Sequence, residues 1–126
     1  MSGRFAQYPC LADKGVFVTG GGSGIGASVV EHFCEQRARV TFVDIDAGAA
    51  TALCARIGAT GIRPPSFIAC DLRDVGALQA IVRRAGEQGG PITVLVNNAA
   101  NDDRHKATEV MLEYWNDGIA VNLRHQ

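Results

Sequence analysis

Short apolar runs alternate with segments of helical character along this chain, and no other feature limits its fold so strongly. Four runs are rich in β-forming residues and read, in chain order, GVFVTG, RVTFVD, PPSFIACD and ITVLVNN. Each run precedes a segment with helical character, and Asp74 stands where it can cap the third helix. Strands that are apolar on both faces and alternate with helices predict an α/β fold, with a doubly wound parallel sheet covered on both sides.

The predicted helices are marked by apolar residues spaced about one turn apart. In the first helix, GIGASVVEHFCEQR, the apolar stripe is Ile25, Val29 and Phe33. In the last segment the apolar residues recur at four-residue steps: Met111, Trp115, Ile119 and Leu123. Residues 1–12 show no strong periodicity and are predicted to form an N-terminal arm within one domain that covers residues 1–126.

Composition excludes several classes of partner and location. The formal net charge is -1 and no run of basic residues occurs, so neither nucleic acid nor a membrane surface is an expected partner. There is no signal-peptide pattern and no long apolar stretch, which makes the cytoplasm the expected location. No metal site is expected, and the cysteines, which lack CxxC spacing, are expected to be reduced: Cys10, Cys34, Cys54 and Cys70.

A glycine-rich loop, TGGGSGIG from Thr19 to Gly26, carries the clearest functional signal. It follows a predicted strand and opens a predicted helix, and Asp44 ends the next strand about 20 residues further on. Gly20 allows the tight turn. Gly24 and Gly26 would let the backbone approach a pyrophosphate and let the helix, whose N-terminus attracts phosphates, pack close to the sheet. The alternative is a structural turn followed by a surface aspartate.

Asp44 predicts which nicotinamide cofactor the loop would take. Its carboxylate can accept hydrogen bonds from both hydroxyls of a ribose of NAD. It would repel the additional phosphate of NADP, and the surrounding sequence VDID offers no arginine to receive that phosphate. The expected cofactor is therefore NAD, and the other expected partner is a small-molecule substrate.

The spacing of this loop resembles the TGxxxGxG pattern of the short-chain dehydrogenase/reductase family. CDL at 70–72, NNAA at 97–100 and AVNL at 120–123 resemble further segments of that family. The resemblance implies a Rossmann-like fold, truncated here after about four strands, and places a catalytic asparagine at Asn122. It assigns cofactor binding to the following residues: Thr19, Gly20, Ser23, Gly24, Ile25, Gly26, Asp44, Asp71, Leu72, Asn98, Ala99 and Ala100.

Longer segments narrow the resemblance to NAD-dependent aldose 1-dehydrogenases of bacteria. These segments are YPCLADKGVFVTGGGSGIG, NNAANDDRHK and YWNDGIAVNLRH. The resemblance implies oxidation of a sugar, or a similar polyol or alcohol, with an aldose giving a lactone and NAD taking the hydride. The polar loop NDDRHK follows the fourth predicted strand, at the edge of the sheet where ligands bind in α/β folds. A solvated loop without a ligand is the alternative.

The resemblance also defines what these residues lack. The family moves the substrate proton with a serine and a YxxxK motif, in which the lysine lowers the tyrosine pKa. The two lysines here, Lys14 and Lys106, have no tyrosine four residues earlier, and Tyr114 is expected to pack on its helix. We therefore expect no turnover from these residues alone. The alternative is a catalytically inactive, truncated nucleotide-binding or interaction module, with homo-oligomers possible through an exposed sheet edge or the terminal helix.

Three positions depart from the family pattern. Arg37 stands where a glycine usually closes a helix in the left-handed conformation, which should cost about 1 kcal/mol. Met111 stands where a threonine usually caps the last helix, and the loss of that cap should also cost about 1 kcal/mol. Ala100 replaces the last glycine of the family's NNAG, a milder change.

Overall fold

Four parallel strands form a single sheet in a computed structural model that describes residues 5–126. The strands are β1 (Gly15–Thr19), β2 (Arg39–Asp44), β3 (Ser66–Ala69) and β4 (Ile92–Val96), and their order in the sheet is β3-β2-β1-β4. The helices are α1 (Gly24–Glu35), α2 (Ala47–Gly58), α3 (Val75–Gly89) and α4 (Leu112–Ile119). Short 3-10 turns cover Pro9–Leu11 and Ala107–Glu109, and a π-helical turn, Ala120–Arg124, extends α4. This arrangement confirms the predicted α/β fold with a parallel sheet.

Alternate residues of β1 pack into two apolar clusters on opposite faces of the sheet. Val16 and Val18 join the cluster formed with α1 and α2, whereas Phe17 joins the cluster formed with α3. Because both faces of the strand are covered, all five residues of β1 are buried. The sheet is therefore doubly wound.

The buried face of α1 is rotated by one residue from the predicted stripe. The buried positions are Gly26, Val30 and Cys34, while Ile25 is 79% exposed. Val29 and Phe33 are only partly buried. The apolar stripe predicted from the sequence is therefore not the buried face of α1, because close packing against the glycine loop turns the Gly26 side of the helix inward.

Aspartates cap the amino ends of two helices. The predicted cap Asp74 accepts a hydrogen bond from the amide of Ala77 at 2.9 Å, and Asp46 accepts one from Ala49 at 2.9 Å. By contrast, Met111 precedes α4 without any side-chain capping bond. The caps formed by Asp74 and Asp46 each contribute about 1 kcal/mol to helix stability. Helix α4 has no such contribution from its N-cap side chain.

The N-terminal arm is described from residue 5 onward, and the rest of the predicted arm, residues 1–4, lies outside the described residues. The amide of Tyr8 donates to Oε1 of Gln36 at 2.7 Å, and Nε2 of Gln36 donates to the carbonyl of Ala6 at 3.0 Å. Phe5 meets the ring of His32 edge-on at a centroid distance of 5.1 Å. These contacts place the arm along α1.

The last helical segment is exposed rather than packed. Ile119 is partly buried, but Met111, Trp115 and Leu123 are all exposed, with Trp115 at 61%. Four-residue spacing correctly predicts an apolar stripe on a helix, and the described residues leave most of that stripe uncovered.

Candidate functional site

A cleft of about 820 Å³ opens at the carboxyl ends of the strands. It is bounded by the glycine loop, the ends of β2 and β3, and the loop after β4. From β1 the strand order runs in one direction to β2 and β3 and in the other direction to β4. The point where the order reverses is the topological switch point, where α/β sheets bind ligands. Every residue predicted to bind a cofactor lines this cleft except Thr19.

The glycines of the loop divide two tasks between them. Gly24 has a φ of +55°, and a Cβ added there would meet nothing within 4 Å. A Cβ on Gly26 would collide with the carbonyl oxygen of Gly20 and lie 2.6 Å from Nδ2 of Asn98. Gly24 thus leaves the cleft surface open for a close ligand, while Gly26 allows the helix to approach the loop.

The amino end of α1 adds unpaired donors to this surface. Ser23 is the N-cap residue, but its side chain makes no capping hydrogen bond. The amide of Ala27 donates to the carbonyl of Ser23 at 3.1 Å, which is the first hydrogen bond of the helix. The amides of residues 24–26 come before it and have no carbonyl partner within the helix. Together with the positive end of the helix dipole, such amides attract an anion such as a phosphate.

Asp44 is held in place by backbone donors. Its Oδ2 accepts a hydrogen bond from the amide of Gly22 at 2.8 Å, and its Oδ1 accepts one from Asp46 at 2.9 Å. A Cβ on Gly22 would lie 2.9 Å from Oδ2, so that glycine also permits the close approach. Each carboxylate oxygen keeps a further lone pair for a ligand hydroxyl.

Thr19 lies behind the cleft wall. It is 2% exposed, and its Oγ1 accepts hydrogen bonds from the amides of Asn98 and Ala99 at 3.0 and 3.1 Å. In return, Nδ2 of Asn98 donates to the carbonyls of Thr19 and Gly20 at 3.1 and 3.0 Å. The hydroxyl of Thr19 is therefore committed to joining the end of β4 to the glycine loop.

Arg73, which the sequence analysis did not identify, binds two carboxylates near the end of β3. Nη2 of Arg73 lies 2.6 Å from Oδ2 of Asp71, and its Nε lies 3.0 Å from both oxygens of that carboxylate. Nη1 of Arg73 reaches Oδ1 of Asp117 on α4 at 3.0 Å. These hydrogen bonds from Arg73 lower the pKa of Asp71 and raise the pKa of Arg73 itself. Asp117 is 44 residues further along the chain, and no sequence pattern signals the contact.

Asn122 lies in the π-helical turn beside the cleft rather than in its wall. Its Oδ1 accepts from the amide of Asn101 at 2.7 Å, and its Nδ2 donates to the carbonyl of Asn101 at 2.9 Å. The neighbouring residues Asn101 and Val121 do line the cleft. The carboxamide of Asn122 thus holds the loop after β4 against the π-helical turn. Short π-helical turns often occur at functional sites.

The polar loop at residues 101–106 is pinned to α4. The hydroxyl of Tyr114 donates to the carbonyl of Asp103 at 2.6 Å, and its ring meets that of His105 at a centroid distance of 4.1 Å. Tyr114 packs on this loop, in agreement with its expected structural role. Asp102, next in the loop, lines the cleft.

Other chemistry is limited within residues 5–126. This part of the chain contains no cluster of three side chains able to hold a metal ion, and none of its helices is long and apolar enough to cross a bilayer. All four cysteines are free. Burial raises the pKa of the Cys34 thiol to about 12, which makes it a poor nucleophile.

A second cavity, of about 650 Å³, lies at the opposite end of the sheet. It is lined by residues that precede the strands, among them Asp13, Arg37 and Arg63. None of the predicted site residues lies there. The residues predicted from the sequence therefore identify the cleft at the carboxyl ends of the strands, and not this second cavity, as the candidate site.

Comparisons with known proteins place this geometry in a family. Residues 14–125 match the short chain dehydrogenase family. Over 120 residues the chain is 51% identical to a probable galactose dehydrogenase of Rhizobium meliloti and 46% identical to a D-xylose 1-dehydrogenase of Caulobacter vibrioides, covering 95% of this chain in both cases. It covers 47% and 46% of those relatives, so it spans about half their length.

A solved structure agrees. A short chain dehydrogenase from Burkholderia cenocepacia, determined in complex with NADP, superposes with a TM-score of 0.85 at 32% sequence identity. The match covers 91% of this chain and 47% of that one. Sequence, sheet order and structural similarity lead to one conclusion: the chain belongs to the short-chain dehydrogenase family.

Proposed function

We propose that the cleft binds NAD. The observation that carries this proposal is the combination of an open backbone at Gly24, with no atom within 4 Å of an added Cβ, and the fixed carboxylate of Asp44 on the same cleft. The first suits a pyrophosphate, and the second suits ribose hydroxyls. When bound, NAD supplies the hydride acceptor for an alcohol oxidation.

The predicted residues take different roles in this proposal. The amides that follow Ser23 would bind phosphate, while Asp71 and Leu72 would meet the adenine. The exposed side chain of Ile25 would cover one side of the cofactor. Thr19 acts indirectly, because its buried hydroxyl sets the position of the loops. The remaining contacts would come from residues that line the cleft at the glycine loop and after β4: Gly20, Gly26, Asn98, Ala99 and Ala100.

The preference for NAD over NADP rests on Asp44. Its carboxylate would face the position of the 2′-phosphate of NADP, and the repulsion between like charges disfavours that cofactor. Since a relative in this fold binds NADP, the fold alone does not set the choice.

Calorimetric titration with each cofactor tests this preference. We expect the chain to bind NAD more tightly than NADP, and Asp44→Ala to reduce the ratio between the two affinities. Glu87→Ala, an exposed carboxylate on α3, is the matched control and should leave the ratio unchanged. Equal or tighter binding of NADP by the unsubstituted chain would refute the role of Asp44.

For the whole reaction we propose NAD-dependent oxidation of a sugar or similar polyol, with an aldose giving a lactone. The names of the two relatives, a galactose and a D-xylose dehydrogenase, support a sugar substrate. The hydride would leave the anomeric carbon for NAD as the hydroxyl loses its proton to a base. No YxxxK motif supplies that base here, so we propose that these 126 residues do not turn over by themselves.

Absorbance of NADH tests the proposed inactivity of these residues. The chain is mixed with NAD and D-xylose, D-galactose or L-arabinose, and we expect no increase over a protein-free control. Robust NADH formation would overturn the proposed inactivity.

We also propose a cytoplasmic location, which the free cysteines support because disulfides are rare in that compartment.

One observation favours the alternative of an interaction module. Trp115 is 61% exposed and Leu95, on the edge strand β4, is 59% exposed. Exposed apolar residues on a helix and an edge strand are typical of surfaces that pair with another chain. Self-association without nucleotide binding would favour this alternative over the enzyme.

A further inference from the structure

The position of α4 depends little on burial. No residue of Leu112–Ile119 is buried, and Ala120 is the one buried residue in the π-helical turn that follows. A surface helix normally gains its place from an apolar face packed on the core. Polar contacts must therefore contribute much of what positions α4 beside the cleft.

Those contacts reach two different parts of the molecule. Tyr114 and Asn122 bind the exposed loop after β4, through the carbonyl of Asp103 and the backbone of Asn101. Within residues 5–126, the side-chain contact that links α4 to the far side of the cleft is the one between Asp117 and Arg73.

Arg73 is itself fixed by Asp71. Three of the donor–acceptor pairs between them are 2.6 to 3.0 Å apart, so the guanidinium is held in one orientation while Nη1 remains free for Asp117. A planar guanidinium can bind two carboxylates at once, which the single ammonium of lysine does less well. Both carboxylates and Arg73 line the cleft.

We propose that Arg73 is a positioning residue that couples the nucleotide side of the cleft to α4. One guanidinium orients Asp71 and anchors Asp117, and Asn122 lies five residues further along the same helical segment. Occupation of Asp71 by a ligand would then be linked to the placement of Asn122. The nucleotide side of this proposal rests on the proposed function, whereas the tie to α4 does not.

The proposal concerns position more than stability. The side chains of Arg73 and Asp117 are about half exposed, at 54% and 49%, and exposed ion pairs contribute little to the free energy of unfolding. Loss of Arg73 should therefore leave the unfolding midpoint almost unchanged, while loosening the contact between Asn122 and the amide of Asn101.

Hydrogen exchange of the Asn101 amide, followed by nuclear magnetic resonance, tests the tie to α4. In Arg73→Met we expect exchange at Asn101 to be several-fold faster, with the urea midpoint unchanged. Arg84→Met, an exposed arginine on α3, is the matched control and should change neither. The exchanged pair Arg73→Asp with Asp117→Arg should restore protection above that of either single variant, a rescue that general loosening would not show.

Calorimetry with NAD then tests the coupling. We expect Arg73→Met to weaken NAD binding about fivefold, within the range typical of coupled sites, and Arg84→Met to leave it unchanged. Unchanged exchange at Asn101 in Arg73→Met, or failure of the exchanged pair to restore protection, would overturn the proposal. Faster exchange in a chain that binds no NAD would support the tie to α4 and refute the nucleotide function separately.

Discussion

At the scale of single residues, the two carboxylates at the ends of β2 and β3 are fixed by different partners. Among the described residues, Asp44 accepts hydrogen bonds from backbone amides alone, whereas Asp71 accepts them from both the backbone amide and the guanidinium of Arg73. The sequence predicted Asp44 from its place at the end of the second strand, and Asp71 from the resemblance of CDL at 70–72 to a segment of the family. It did not predict Arg73 as a partner, since the contact to Asp117 depends on where α4 lies.

The pKa of Asp71 provides a test of this contact. Arg73 favours the charged carboxylate, so the pKa of Asp71 lies below its ordinary value in the folded chain. The stabilisation that this shift gives is small because the pair is exposed. It is present above that ordinary value and is lost as the pH falls through the lowered pKa. In Arg73→Met we expect the Asp71 pKa to move upward, as measured by carboxyl carbon shifts in a pH titration. An unchanged value would contradict the close contact.

Arg37 provides a test of backbone strain. Its φ is +64°, in the left-handed region, as expected at a position where the family usually has a glycine. Its amide donates to the carbonyl of Cys34, and Ala38 donates to Phe33, so Arg37 closes α1 in a Schellman motif. We expect Arg37→Gly to raise the free energy of unfolding by about 1 kcal/mol, measured by urea denaturation.

An arginine-to-glycine substitution inside a regular helix should instead lower the free energy of unfolding. Arg84 lies in the interior of α3, and Arg84→Gly should lower stability by about 1 kcal/mol. A destabilising effect of Arg37→Gly would show that the arginine side chain contributes more than its backbone strain costs.

At the scale of elements, the strands and most helices could be predicted, but the orientation of helix faces could not. The apolar runs placed all four strands, and Asp74 placed the start of α3. For α1 the periodicity indicated the face that carries Ile25, whereas the structure buries the face that carries Gly26, because a glycine has no side chain to collide with the carbonyl of Gly20. A glycine carries no hydrophobic signal, so periodicity alone cannot identify that face.

Substitutions in the loop test this explanation. Gly26→Ala forces a Cβ into the carbonyl of Gly20, and we expect a loss of about 1–3 kcal/mol, typical of overpacking. Gly24→Ala meets no atom and should cost only its strained φ, about 1 kcal/mol. Urea denaturation of the two variants compares them, and a larger loss at Gly24 than at Gly26 would be inconsistent with the observed packing.

At the scale of the whole molecule, the alternation of strands and helices predicted a parallel sheet with helices on both faces. The sheet order β3-β2-β1-β4 then brings the ends of β1, β2 and β3 together with the loop after β4. That assembly explains why residues far apart in sequence, such as Gly24 and Ala99, line one cleft. The contacts that set α4 against it are long-range, and no local pattern encodes them.

The exposed edge of the sheet leads to a prediction about association. Leu95 on β4 and Trp115 on α4 are exposed apolar side chains, and burying them between two chains is favourable. We expect the chain to self-associate in sedimentation velocity experiments, and Leu95→Lys with Trp115→Lys to shift it toward the monomer. Ile45→Lys, an exposed apolar residue at the cleft, is the control. A strictly monomeric chain at all concentrations would contradict this prediction.

Mapping of amide shifts during an NAD titration tests whether the cleft at the carboxyl ends of the strands binds NAD. We expect saturable shifts at residues 22–26, at Asp44, at Asp71 and at residues 99–101. Shifts confined to the opposite cavity around Arg37 and Arg63, or no shifts at saturating NAD, would contradict it.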